Sequence, residues 1–207
     1  ENGEIGLIRN YGPPAFQFRP MQPITTADDE GATERAASGR VIPGHFTGDG
    51  MTDLLLTGGP GMLLENVGGA FHPLRNSIHP EWDDQRCVTA ADFDQDGIQD
   101  VAAVSSELDR CLVLRNNGDG TFVEAEGSPR ETAEEAPRVT CVGWADLTGN
   151  SVPDLVAGGE NGRLRLFFNS GGSLIEATDV CRTPALPRIG TVSHISSGDL
   201  NGDGADE

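Results

Sequence analysis

The chain contains no lysine and no long apolar run, and each shortage removes a class of protein. With lysine absent, all 14 basic residues are arginine, and 33 acidic residues leave a net charge of -19. Such a chain has no basic patch to displace phosphate counterions, so nucleic acid is not an expected partner. The best apolar run, Leu54 to Leu56, is far short of the ~20 residues a bilayer-spanning helix needs. The opening ENGEIGLIRNYG has neither the charged nor the apolar region of a signal peptide, so an export signal is expected upstream or already removed. Long amphipathic helical patterns are missing too. ETAEEA at 131–136 reads either as one exposed helical turn or as a solvated loop. His45, His72, His79 and His194 show no metal-ligand spacing, and no serine or cysteine sits in a nucleophile motif. Chance carboxylate pairs abound in so acidic a chain, so no catalytic residue is assigned and the chain is not read as an enzyme.

What is present is glycine, 28 residues of it, with 13 prolines and short apolar stretches, a composition of short strands and tight turns. DFDQDGIQD at 92–100 has counterparts in HFTGDGMTD from His45, DLTGNSVPD from Asp146 and DLNGDGADE from Asp199. Their starts lie 47, 54 and 53 residues apart, the spacing of a supersecondary unit that must stack on its neighbours to bury its faces. The flanks repeat as well. Each of the first three loops is preceded by a strand and followed by an apolar strand (DLLLTGG, DVAAVSS, DLVAGG), a strand ending in asparagine (MLLENVGG, CLVLRNNGDG, LRLFFNSGG) and a short last strand. Four strands per unit at this period describe an all-β chain of β-propeller blades. The expected division is a partial blade at 1–36, blades at about 37–83, 84–137 and 138–190, and a partial blade at 191–207, all in one domain. ENGEIGLIRNYG matches ENGRLRLFFNSG from Glu160, so the chain is expected to open at the third strand of a blade and to be a piece of a larger propeller.

A loop written D-x-D-x-D-G-x-x-D offers side-chain oxygens at positions 1, 3, 5 and 9 and a main-chain carbonyl at 7, with a glycine at 6 for the sharp turn. Four unneutralised carboxylates in nine residues repel one another, and a hard cation relieves that repulsion. Ca²⁺ takes six to eight oxygens at ~2.3–2.6 Å, whereas Mg²⁺ demands a tighter octahedron, and zinc or copper would want Cys or His. An EF-hand begins similarly but needs glutamate at position 12, which here is Ala103, and flanking helices. The competing reading is that aspartate and glycine simply make good turns.

The acidic loop followed by DVAAV or DLVAGG, together with RNNGDGTFVEA, resembles the FG-GAP and VCBS repeat family, which includes the integrin-α propellers and many bacterial secreted proteins. The resemblance covers essentially the whole chain. It implies a calcium-binding propeller, secreted or at the cell surface, and a role in adhesion, protein or glycan binding, or scaffolding. The propeller of a carbohydrate-active enzyme such as a polysaccharide lyase is the alternative. Carried over residue by residue, it implies a full ligand set in the second loop: Asp92, Asp94, Asp96, the Ile98 carbonyl and Asp100. The fourth loop follows with Asp199, Asn201, Asp203, the Ala205 carbonyl and Glu207 in place of aspartate. The third offers Asp146, Thr148, Asn150, Val152 and Asp154 but has Ser151 where glycine is expected, and the first opens with His45 and offers Thr47, Asp49 and Asp53.

Cys87 and Cys141 each precede their loop by five residues and so occupy equivalent places on the inner strands of neighbouring blades. Equivalence does not imply contact, and buried free thiols are expected there rather than a disulfide, which needs Cα atoms within ~7 Å. Trp144 falls in an inner strand and reads as core. Trp82 sits in a polar, proline-containing link between blades. These links lie opposite the acidic loops and are the expected surface for a protein or glycan partner.

Overall fold

A computed structural model describes residues 8–10, 18–20, 40–57, 61–74, 85–105, 111–129, 138–160, 162–177 and 190–206. Among these residues there is no helix. Strands β1 (Ile8–Asn10) and β2 (Phe18–Pro20) form an antiparallel pair. Three four-stranded antiparallel sheets follow, each a simple meander in chain order. The first contains β3 (Val41–Gly44), β4 (Asp53–Leu56), β5 (Met62–Val67) and β6 (Ala70–Leu74). The second contains β7 (Gln85–Ala91), β8 (Asp100–Ser105), β9 (Cys111–Asn116) and β10 (Phe122–Glu124). The third contains β11 (Val139–Ala145), β12 (Asp154–Gly159), β13 (Leu164–Asn169) and β14 (Leu174–Glu176).

Side chains alternate across a strand, so a sheet clamped between two others needs apolar residues at consecutive positions. The second sheet meets that demand. Val101 and Ala103 of β8, with Leu112 and Leu114 of β9, pack towards Leu55 and Leu63 of the first sheet and Phe46 of the loop between β3 and β4. Ala102 and Val104, with Cys111 and Val113, pack towards Val142, Leu155 and Phe167 of the third. This is why DVAAVS is buried at every residue although it follows one of the most charged loops in the chain. Truncating a fully buried member such as Leu112 to alanine costs about 2–5 kcal/mol.

Residues 190–206 carry no strand, where the first strand of a further blade is expected from the repeat. Among the described residues no strand pairs with them; side-chain packing and hydrogen bonds such as Val192 N–H to the Gly159 carbonyl hold them against the third sheet. Val192 and Ile195 press on Gly158 and Gly143, where an added Cβ would meet them at 2.6 and 2.7 Å. Thr140 Oγ1 donates to the Val192 carbonyl at 2.6 Å.

The inner strands β7 and β11 also lie against each other, contrary to the expectation of separated cysteines. Cys87 and Cys141 are not bonded in this structure, yet their sulfurs approach to 2.9 Å. Each follows a register irregularity, at Gln85/Cys87 and at Val139/Cys141, and such a bulge re-aims the next side chain. Trp144, on β11, is half-buried and stacks on Phe93 with ring centroids 5.7 Å apart.

Candidate metal centre

The ninth loop residue begins the second strand of each sheet, and Asp53, Asp100 and Asp154 there are completely buried. Their carboxylates do the same work in all three loops. One oxygen accepts the N–H of loop position 2: Phe46 at 2.9 Å, Phe93 at 3.1 Å and Leu147 at 3.0 Å. The other accepts the N–H of the asparagine that ends the third strand: Asn66 at 2.9 Å, Asn116 at 2.7 Å and Asn169 at 2.8 Å. Position 9 therefore pins its own loop to the third strand.

Those asparagines complete the frame. Each side-chain amide donates to the carbonyl of loop position 8: Asn66 to Thr52, Asn116 to Gln99 and Asn169 to Pro153. Asn116 also donates to the Phe46 carbonyl at 2.8 Å and Asn169 to the Phe93 carbonyl at 2.6 Å, so each latches onto the preceding sheet's loop. Asparagine recurs there in every complete repeat, a signal in the sequence that does not by itself name its partners. Successive loops touch directly as well. Gln99 N–H donates to the His45 carbonyl at 2.8 Å and Asp206 N–H to the Asp146 carbonyl at 2.7 Å. Proline at 153 has no N–H for the corresponding bond; instead Gln95 Nε2 donates to the Ser151 carbonyl at 3.3 Å.

Positions 1 and 5 are turn-makers. Asp49, Asp96, Asn150 and Asp203 each accept the N–H two residues on, at 2.7, 2.8, 2.8 and 3.0 Å, the Asx turn that aspartate and asparagine favour. Asp92 accepts the N–H groups of Asp96 and Gly97, and Asp146 those of Asn150 and Ser151. Asp199 accepts those of Gly202 and Gly204. In the first loop His45 replaces that aspartate, and its Nδ1 lies 2.9 Å from the Met51 carbonyl, the oxygen expected to face a metal. In its Nδ1–H tautomer the ring donates to that carbonyl.

Position 3 separates the loops. Thr47 hydrogen-bonds Asp53, and Asn201 donates to Asp203. Asp94 instead carries a carboxylate whose Oδ1 is buried and has no hydrogen-bond partner. It stands beside Asp92 and Asp100, one oxygen of each lying within 4.8 Å of the others. Burial, then the Asp96 charge, raises the Asp94 carboxyl above its ordinary range. Burial likewise pushes Asp100 up to about 7, against the Asn116 and Phe93 N–H bonds that favour its charge. Crowded, partly dehydrated oxygens with no nitrogen or sulfur among them form a hard-cation donor set. Asp96, expected as a ligand, is exposed and lies outside this close group. Among the described residues no other loop forms such a group; Glu207 of the fourth lies outside them.

Four-stranded antiparallel sheets stacked in chain order, with acidic loops latched side by side, define the class: part of a β-propeller built from loop-bearing blades. The FG-GAP-like repeat matches residues 45–103, 92–157 and 146–207, and the chain belongs to that family. Among solved structures, the chain is similar to an Agrocybe aegerita lectin described for specific recognition of non-reducing terminal N-acetylglucosamine. Identity is 24%, covering 97% of this chain and 53% of the lectin, with a TM-score of 0.68. The chain thus spans about half the length of that lectin. A Bacillus licheniformis rhamnogalacturonan lyase aligns at 18% identity over 82% of this chain and 39% of its own, with a TM-score of 0.45. Among curated proteins, none matches the chain in sequence.

Proposed function

We propose that the chain is a calcium-stabilised propeller module, secreted or at the cell surface, that binds a protein or glycan partner and performs no catalysis. The buried, unpartnered Oδ1 of Asp94 supports calcium more than any other observation, because an uncompensated carboxylate oxygen there destabilises the fold unless a cation meets it. Asp92, Asp94 and Asp100 hold the ion, which screens their repulsion and ties β7 to β8 across the loop. The ion's role is structural. Extracellular modules of this kind bind calcium at about 10⁻⁴–10⁻³ M, which suits a compartment where calcium is abundant.

The partner reading rests on the arrangement of the loops. Their hydrogen bonds to one another occupy the metal side, leaving the links between blades to vary. Trp82 and most of those links lie outside the described residues. The similar lectin makes terminal N-acetylglucosamine the first ligand to test. A glycan array probed with wild type and Trp82→Ala, alongside melting curves in calcium and in chelator, tests both parts. Binding that weakens in Trp82→Ala while calcium-dependent melting stays intact supports the reading. A contact surface mapped to residues 92–100 contradicts the assignment of faces, and a midpoint indifferent to calcium contradicts the calcium role.

A further inference from the structure

We infer that Cys87 and Cys141 are a modification site: in an oxidising compartment they form a disulfide that staples the inner strands of the second and third sheets. Three observations converge. The sulfurs lie 2.9 Å apart, inside ordinary non-bonded contact and near the ~2.05 Å of a bond. Both cysteines follow a bulge at the same place in their strand, so the approach is built into two separate backbones. Both are buried, at 7% and 1% exposure, in the cluster that joins the two sheets, so a bond once made is shielded from reductants.

The electrostatics distinguish the two thiols. The hydrogen bond that the two thiols share, aided by the Val142 N–H at 3.4 Å, holds the Cys87 thiol below its ordinary range, while that shared bond and burial push Cys141 up. The Val142 N–H, aimed at the Cys87 sulfur, favours Cys87 as the thiol that carries the thiolate. With a small-molecule or protein disulfide as oxidant, the Cys87 thiolate attacks one of its sulfurs and expels the other as a thiolate, giving a mixed disulfide. Cys141, on losing its proton, attacks the Cys87 sulfur, forms the intramolecular bond and expels the second thiolate. The oxidant gains two electrons and the two protons, leaving as two thiols. Because both sulfurs are buried in the folded chain, exchange occurs as the blades close during folding. The bond closes a 54-residue separation, long enough for a substantial effect on the unfolded chain.

The test uses the whole chain, refolded with oxidised and reduced glutathione, then unfolded in an alkylating reagent without reductant. The expected peptide map has one linked pair, Cys87 with Cys141. Wild type refolded in dithiothreitol should melt on the order of 10 °C below wild type refolded with glutathione, and Cys141→Ser should melt alike after either treatment. Should Cys141→Ser fail to fold, the wild-type map still decides. Free Cys87 and Cys141, or a link from either to Cys111 or Cys181, overturns the inference.

Discussion

The first and second acidic loops have the same shape and opposite electrostatics. In the first, histidine at position 1 meets the position-7 carbonyl and threonine at position 3 meets the buried Asp53, so the loop satisfies itself. In the second, aspartates at both places leave three carboxylates within 4.8 Å and one buried oxygen without a partner. The difference separates two roles that one motif hides. Positions 5 and 9 build the turn in both loops; positions 1 and 3 set whether carboxylates are left crowded beside the buried one.

The strongest way to break this comparison is at position 9. Asp53→Ala and Asp100→Ala should each cost about 2–4 kcal/mol in urea unfolding without calcium, because each orphans buried N–H groups. A small loss for Asp53→Ala alone would mean that position 9 serves mainly a metal.

Position 3 sharpens the contrast. At calcium about 100-fold above its Kd, binding stabilises the native state by about 2.7 kcal/mol, and Asp94→Asn should forfeit most of it. In chelator the same substitution should be neutral or stabilising, since it removes a negative charge, one of whose oxygens is unpartnered, from beside two others. Asp49→Asn should show no calcium-dependent change, and equal effects from the two variants would show the loops misranked.

A pH series supplies a smaller effect. Burial raises Asp94 and Asp154 and carries Asp100 to about 7, so without calcium the native state holds protons that the unfolded chain releases near pH 4. Its stability should therefore fall as pH rises from about 4 to about 7. Calcium, which needs the charged carboxylates, should flatten that fall, and thermal midpoints across the range in calcium and in chelator measure both.

The smallest expected change lies in the third loop. Ser151 sits at φ 62°, where the other three loops have glycine at 77°, 91° and 93°. Ser151→Gly should gain about 0.5–1 kcal/mol by removing left-handed strain, read from the urea midpoint.

The period of the D-x-D-x-D-G loops and the strands after them carried the blades into view from sequence, because burial on both faces demands the consecutive apolar residues of DVAAVS. Chemistry was less legible. Asp92, Asp96 and Asp100 all read as ligands, yet each also accepts backbone N–H groups, and folding brings Asp92 and Asp100 together with Asp94 while leaving Asp96 outside, a distinction that depends on which atoms meet after folding. Asn116 and Asn169 were visible only as a recurrent letter, because their partners lie 70 and 76 residues away in another blade. The meeting of Cys87 and Cys141 was hidden for the same reason: it depends on two bulges that no local pattern announces.

Calorimetric titration with calcium of wild type, Asp94→Asn and Asp49→Asn tests the central claim most directly. The account predicts that Asp94→Asn binds one calcium fewer than wild type while Asp49→Asn keeps the wild-type stoichiometry. Calcium binding that survives intact in Asp94→Asn, or is absent from wild type, would contradict it.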